Sequence, residues 1–420
     1  MLSLAPGLAR AGGFEVPDQS AVAGATGGTG TARRGDPSSA WYQPAETADG
    51  RGFRGGLGLL LAFPTITALG LEEPRQSATT ELAVSPPPHL HLSYSENEWS
   101  IGMYVGVSHG SSVQWPEGWW GRFEAMQTGI LGIRAQPFFA LRLGGEHGLI
   151  EGFPDIRVSI GAHVDTVRLE QQRMLDFIDQ EGRVHLLLWG AGVGGDASVY
   201  YQATPELSFG VTYKSRTWMR LNGDADFTVP DPFVGRAPDQ RASAELVIPD
   251  RLVFGAGWQD ALFGVWADIG VTFWSVRDRT RVDFEREATR DIDTPVSWHD
   301  AVALRLGAAV HPIPELHARA GLFFDQEVGP ADTPPRRRTW GAWGSRSASA
   351  STSRGSSART SPTPMSPSCR ASRRASTRRS RATRGRCTWS GSRSGSWWTR
   401  PRQRVRLPRS RPGPTPRRPR

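Results

Sequence analysis

The chain has 420 residues with 50 basic and 41 acidic side chains, a formal net charge of +9 that by itself suggests a nucleic-acid partner. That average misleads: residues 336–420 carry 24 of the basic residues, all Arg, and no acid, so the first 335 hold 26 basic against 41 acidic residues, a net of −15. Both cysteines, Cys369 and Cys387, also lie in that tail, so the body offers neither disulfides nor thiol chemistry, and no apolar window approaches the eighteen or so residues of a membrane-spanning helix.

Residues 1–11, MLSLAPGLARA, read as the end of a secretory signal, with the A-x-A pattern Ala9-Arg10-Ala11 ahead of Gly12. No basic segment precedes the apolar run, which points to a start further upstream; an ordinary frayed N-terminus is the alternative. Residues 12–50 form the next unit. From Gly12 to Glu46 the chain is rich in Gly, Ala, Ser and Thr, has no hydrophobic period, and ends in Trp41-Tyr42-Gln43-Pro44-Ala45. Such a stretch cannot bury enough apolar surface to offset its ordering entropy, so it is either a disordered arm or a piece that folds only inside something else. Gly24-Ala-Thr-Gly-Gly-Thr-Gly30 lacks the Gly-Lys-Ser/Thr ending and the strand–helix setting of a phosphate loop.

From residue 51 to 335 the period is two. In Ile156–Asp165 the set Ile156, Val158, Ile160, Ala162 and Val164 faces one way, and Arg157, Ser159, Gly161, His163 and Asp165 the other. A soluble sheet with one wet face shows this too. The loops decide between them. Runs of about ten alternating residues are joined by tight turns such as Ala203–Glu206 and His311–Glu315, then by long polar loops such as Ser215–Arg241. That asymmetry belongs to a transmembrane antiparallel β-barrel, and Tyr94, Trp99, Trp189, Tyr200, Tyr201, Trp274 and Trp298 sit where interfacial girdles belong. Eleven strands are expected, at 55–68, 87–95, 98–107, 127–143, 153–168, 185–203, 206–216, 245–258, 263–276, 297–311 and 315–325. Eleven is odd where even numbers rule, so the barrel reads as incomplete at its C-terminal end. The alternation stops after Pro334. Residues 336–420 read either as a basic disordered arm for nucleic acid or anionic lipid or, as we favour, as an out-of-frame stretch of a GC-rich gene.

Three phrases resemble one family. Gly13-Phe14 followed by Asp36–Ala45 is similar to the N-terminal hatch of the outer-membrane long-chain fatty acid and hydrocarbon transporters, with Gln43 where that family typically has the Asn of Asn-Pro-Ala. Trp115-Pro-Glu-Gly-Trp-Trp-Gly-Arg-Phe123 looks like its aromatic-Pro-x-x-Trp-x-Gly-Arg-aromatic loop, and Gly210–Ser215 and Leu306–Asp325 resemble its strand phrases. The resemblance implies an all-β barrel of fourteen strands in the outer membrane of a Gram-negative cell, plugged by a hatch that includes Phe14, Asp36, Trp41, Gln43, Pro44 and Ala45. It implies passive transport of long-chain fatty acids or similar hydrophobic molecules. Cargo is captured by the extracellular loops, passed to a pocket touching the hatch, and released through the wall at a kinked inward strand.

In that frame Trp115, Trp119, Trp120 and Phe123 would form an apolar capture patch, with Arg122 available to a carboxylate headgroup; the plainer account is that the aromatics are loop packing and Arg122 bonds a backbone carbonyl. Gly102 and Gly106, in a strand that glycine weakens, are candidates for the lateral opening, with ordinary barrel curvature as the equal alternative. His89 and His91 have a spacing that metals use but no third ligand, and Ser108-His109 lacks an elbow motif and an acid. We therefore expect no catalysis, cofactor, metal or nucleic-acid partner, and a monomer contacting outer-membrane lipid and lipopolysaccharide. Aromatic hydrocarbon uptake and a structural or adhesive barrel are the alternatives. A barrel lacking its closing strands would expose unpaired edges to lipid.

Overall fold

The computed structural model describes residues 13–329, apart from 70–76, 83–84, 178–179, 236, 288 and 314–315, together with the backbone of 343–346. The expected signal remnant and most of the Arg-rich tail lie outside the described residues. The strands are β1 (Gly52–Leu59), β2 (Thr67–Leu69), β3 (Ser77–Thr79), β4 (Pro88–Glu96), β5 (Trp99–Gln114) and β6 (Gln127–Arg142). They continue with β7 (Asp155–Asp176), β8 (Glu181–Gln202), β9 (Leu207–Lys214), β10 (Thr217–Thr228), β11 (Gln240–Ile248) and β12 (Arg251–Gln259). The last are β13 (Phe263–Thr272), β14 (Arg279–Phe284), β15 (Ile292–Pro295), β16 (Ala301–Ile313), β17 (Leu316–Asp325) and β18 (Trp343–Arg346).

Sixteen strands join one antiparallel sheet. Its wall runs β1-β4-β5-β6-β7-β8-β9-β12-β13-β16-β17-β18, and β10, β11, β14 and β15 extend it at one rim. Each of the eleven expected strands has a counterpart among β1, β4–β9, β12, β13, β16 and β17, and among the described residues the ladder ends at β1 and at β18. Several ends are displaced: β1 ends at Leu59, β5 runs on to Gln114 and β7 to Asp176. Two assignments also differ from expectation. The segment Ser215–Arg241, expected as a polar loop, is largely the β10–β11 hairpin, with Thr217 opposite Ile248 and Ala225 opposite Gln240. The expected strand 245–258 is two strands, because Pro249 and Asp250 break the ladder. Asp250 is clamped there: its carboxylate accepts from the Tyr213 hydroxyl (2.6 Å), the Arg216 amide (3.1 Å) and Arg216 Nε (2.6 Å).

The wall is inside-out relative to a soluble sheet. On its outer face Ile160, Val193, Ile101 and Leu322 are more than half exposed, whereas Arg157, Ser159, His163, Asp165 and Ser198 are buried inward. This is the arrangement of a sheet whose outer solvent is hydrocarbon. Of the two faces read in Ile156–Asp165, the polar one lines the lumen. Paired rings on the outer face, Trp99 with Phe139 and Tyr201 with Phe209, lie near the short-turn rim as an interfacial girdle requires, whereas Tyr200, Trp274 and Trp298, expected in that girdle, point inward.

Polarity inverts higher up. β7 and β8 are 22 residues each, about 70 Å of chain at ~3.3 Å per residue, far taller than an apolar band of ~25 Å. Above Arg168 and Trp189, which face each other across β7 and β8, the inward side chains become apolar: Val184, Leu186, Leu188, Ala225 and Ala242 are buried. The outward ones there are Arg183, Asp224, Arg241 and Glu245, all exposed. Below that level the sheet faces lipid; above it, water.

Residues 13–50 fill the lumen. They include α1 (Ala21–Ala25), capped by the Ser20 hydroxyl accepting from Val22 and Ala23 amides, and α2 (Ser39–Tyr42). Most of this segment is buried, so its lack of a hydrophobic pattern reflects a polar lumen around it. Backbone meets backbone along one row: Gly257, Trp266, Gly307 and Gly321 lie opposite one another across β12, β13, β16 and β17. A Cβ on Gly307 would come within 2.6 Å of the Thr26 carbonyl oxygen, and one on Gly321 would strike the Gly27 amide. These glycines are the seat of hatch residues 26–32.

Candidate functional site

Above the hatch, enclosed by the apolar upper sheet, lies a cavity of about 310 Å³, at the small end of the range for ligand sites. Ile130, Leu169, Leu186, Val282 and Phe284 wall it, and Gly13, Phe14 and Trp298 form its floor. Phe14 packs edge-on to Trp274 (centroids 5.0 Å), which packs edge-on to Trp298 (5.1 Å). Arg277 also lines the cavity, its guanidinium 5.2 Å from the Phe14 ring and 4.7 Å from the Trp298 ring, a cation–π arrangement. Arg173 and Arg290 add basic groups, and Glu124, Gln127, Gln171, Gln172 and several Thr residues make the rest of the lining mixed.

Phe14 faces the cavity with its side chain and the wall with its backbone. The uppermost β4–β5 pair is His89 opposite Gly106, and just beyond it β5 carries a register shift at Val107/His109 of the kind that bends a strand. From there β5 bonds the hatch instead of β4: Gly110 N–H donates to the Phe14 carbonyl (2.8 Å) and Val16 N–H to the Ser108 carbonyl (2.9 Å), and Glu15 bridges His109. Gly102 and Gly106 sit in the regular ladder below this break, opposite Ser93 and His89. The parting of the two strands thus begins one residue past Gly106.

The lumen below is crowded with charge. Arg134 donates twice to Asp165, at 2.8 Å each, with both side chains buried. Thr217 Oγ1 donates to the same carboxylate, and His163 lies between Asp196 and Thr217, at 2.9 Å from each. Glu15 pairs with Arg251, and Arg305 with Asp325 at 2.6 Å. At the short-turn rim Arg157 and Arg142 both reach Asp155 and Asp49.

The hatch residues singled out in the sequence are fastened to this lumen. Trp41 is buried, with Lys214 Nζ 3.1 Å from its ring centroid and Tyr104 packed at 4.5 Å. Gln43 Nε2 donates to Thr31 O (3.2 Å) and to Val199 O of β8 (3.1 Å), so the longer amide ties the hatch to the wall. Pro44 opens a 3₁₀ turn and Ala45 N–H donates to Ser198 Oγ (3.0 Å). Asp36 accepts from the Ser38 amide (2.9 Å) at the start of α2.

The aromatic loop divides. Trp115 and Trp119 stack at 4.2 Å and are 2% and 5% exposed, packed with Ile66, Ala68 and Met126. They are the core of the loop, whereas Trp120, 39% exposed, keeps surface. Arg122 lies over the Phe123 ring at 4.6 Å and donates to Glu181 at the β7–β8 tip (Nη2–Oε1 2.6 Å). That bond holds the Glu181 carboxyl below its usual 4.5. The tie is therefore complete at neutral pH and above the unfolded value, and is lost as pH falls through the lower folded one. Glu181→Gln is expected to leave the unfolding midpoint unchanged, since exposed pairs contribute little, but to speed tryptic cleavage after Arg122; unchanged cleavage would show that the tie does not order the loop.

Sequence patterning missed the cavity. Ile130, Leu169, Leu186, Arg277 and Trp298 carry no motif. The one available signal was the shift of apolar residues from odd to even positions in β8 across Trp189, from Val193 and Val199 below to Val184, Leu186 and Leu188 above.

A tall antiparallel barrel wall with a lipid-facing apolar exterior, a hatch in its lumen and an apolar cavity above it defines a plugged outer-membrane carrier of hydrophobic molecules. The sequence profile of the outer membrane protein transport protein family (OMPP1/FadL/TodX) matches residues 2–338, and the chain belongs to that family of outer-membrane transporters of hydrophobic compounds. A Pseudomonas aeruginosa FadL homologue superposes with a TM-score of 0.65 at 16% identity, over 78% of this chain and 84% of that one. The Ralstonia pickettii toluene transporter TbuX gives 0.60 at 18% identity, over 73% and 86%, and the Pseudomonas putida toluene transporter TodX 0.59 at 18%, over 74% and 84%. None of the curated proteins matches the sequence significantly.

Proposed function

We propose that this chain takes up long-chain fatty acids, or amphiphiles like them, by passive passage from the upper cavity to a lateral exit between β4 and β5. One observation carries this: Phe14 floors the cavity with its ring while its carbonyl occupies the β5 edge that β4 leaves uncovered. The charge pairs below oppose an axial route, because an apolar solute passing there would strip partners from buried ions, at several kcal/mol per group. The inversion of polarity supports a sideways route as well. A hydrophobic molecule is sheltered inside the sheet above Trp189 and outside it below, so it must change faces near that level, where β5 is bent. Trp120 and Phe123 offer the surface for first capture, over a core built by Trp115 and Trp119. Three arginines against the one acid, Glu124, leave the cavity lining net positive, which supports an amphiphile with an acidic head over a bare hydrocarbon, although TodX and TbuX are described as toluene transporters.

The test is uptake in cells lacking their own transporter. Expression of the chain is expected to restore oleate uptake. Phe14→Ala, which unfloors the cavity, is expected to weaken oleate binding by about tenfold, the effect of ~1.4 kcal/mol. Uptake of toluene but not oleate would favour the aromatic hydrocarbon alternative, and uptake of neither would favour a barrel without cargo.

A further inference from the structure

The arm of the hatch that covers the β5 edge also masks a set of polar groups. Gln19 makes most of the contacts: its carbonyl accepts from His91 Nε2 (2.7 Å), its Nε2 donates to Val107 O (2.9 Å), and its Oε1 accepts from the Tyr104 hydroxyl. His91 and His89 are 2% and 5% exposed, their rings 5.5 Å apart, and the His91 ring lies 5.3 Å from that of Tyr104. The Nδ1 atoms of both histidines are buried and find no hydrogen-bond partner among the described residues. His89 stands opposite Gly106, so it is the sill of the parting between β4 and β5.

Resting on the lateral exit proposed above, we infer that His89, His91 and Tyr104 form a headgroup station that receives the polar end of the cargo as it crosses the wall. Lifting the arm residues 14–19 off the wall strips Tyr104 and His91 of their partners, and a buried polar group left unpaired costs about 1–3 kcal/mol. A carboxyl or hydroxyl group replaces those bonds; a bare hydrocarbon cannot. In the seated state Nε2–H is committed to the Gln19 carbonyl, so Nδ1 is the acceptor of a neutral His91. With the arm lifted, Nε2–H and the Tyr104 hydroxyl become donors to a carboxyl or hydroxyl oxygen, while Nδ1 suits the O–H of an un-ionised acid or an alcohol. The station therefore selects for a headgroup at the exit, independently of the basic groups lining the upper cavity, and makes His89 and His91 positioning and specificity residues for transport.

The experiment compares uptake of palmitic acid, hexadecanol and hexadecane by cells expressing the full chain, its His89→Phe/His91→Phe variant, and His89→Asn, which keeps a polar atom near Nδ1. The double variant is expected to lose about tenfold in uptake of the acid and the alcohol, the equivalent of ~1.4 kcal/mol, with hexadecane uptake within twofold of the parent. His89→Asn is expected to transport like the parent. Retained binding of the acid in the upper cavity, read by tryptophan fluorescence, separates a folded variant from a collapsed one. Equal loss for all three solutes, or no loss for any in a variant that still binds, overturns the station. If the parent chain moves none of the three, the transport reading fails, and the station with it.

Discussion

Replacing Gly307 by Val is expected to dislodge the hatch. The new side chain would project into the space between β16 and hatch residues 26–29, where even a Cβ lies 2.5 Å from Thr29 Oγ1 and 2.6 Å from Thr26 O. Neither neighbour can yield cheaply. Thr26 is tied into the end of α1 through its hydroxyl, which donates to Val22 and Ala23 carbonyls at 3.0 and 3.1 Å, and the adjoining Gly30 and Thr31 amides are held by Asp268 at 2.9 and 3.1 Å. Overpacking of well-filled interiors costs about 1–3 kcal/mol, occasionally more, and here the obstruction is backbone. The loss should appear as a lower unfolding midpoint and as new tryptic cleavage after Arg33, which is 4% exposed in the intact protein. Gly35→Ala, three-dimensionally open and only conformationally strained at φ +73°, serves as the control and should leave Arg33 protected. If Gly307→Val leaves cleavage and midpoint unchanged, the glycine row is not the seat of the hatch.

The second large effect is expected at Arg134. Both members of the Arg134–Asp165 pair are buried, 3% and 0% exposed at their side chains. Arg134→Met leaves Asp165 with only the Thr217 hydroxyl and the nearby His163 ring. Removing one partner of such a pair costs about 3–5 kcal/mol, whereas replacing both with apolar groups of similar volume is often neutral. Arg134→Met should therefore destabilise by about that amount, and Arg134→Met/Asp165→Leu should recover most of it. Denaturant midpoints of the two variants and the parent decide. A double variant as unstable as the single one would mean that the pair is held for more than its own charge balance, because Asp165 also orders Thr217 and through it His163.

The wall was legible in the sequence because a strand of alternating residues needs only local pattern and a turn. Ile156–Asp165, Val302–Val310 and Leu316–Phe324 announced themselves, and the family phrases gave the order of parts. What pattern could not supply was which face was inside. Arg157 and Asp165 alternate with Ile160 and Val164 in the same way in a soluble sheet; only the closing of the lumen around the hatch makes the charged face the buried one. The hairpin β10–β11 was hidden for a related reason. Above the membrane its outward residues, Arg220, Asn222, Asp224 and Asp226, are hydrophilic enough to look like a loop. The cavity was invisible because it is assembled from five separate stretches, residues 13–14, 111–130, 169–186, 227 and 277–298, and the roles of Trp115 and Trp119 were unreadable because a stacked pair inside a loop and a patch on its surface have the same composition.

The change of polarity at Trp189 has a consequence for how the protein can vary. Below that level every side chain is judged by lipid on one side and by the hatch on the other, so substitutions there put insertion into the membrane at risk. Above it, β7, β8, β10, β11 and β14 obey the rules of an ordinary water-soluble sheet, with a small apolar core and a charged outer surface. The two regions share strands but not selection pressures. The upper one can be rebuilt to fit a different hydrophobic molecule, much as a binding loop is rebuilt on a fixed scaffold, while the part that must enter the bilayer stays as it is.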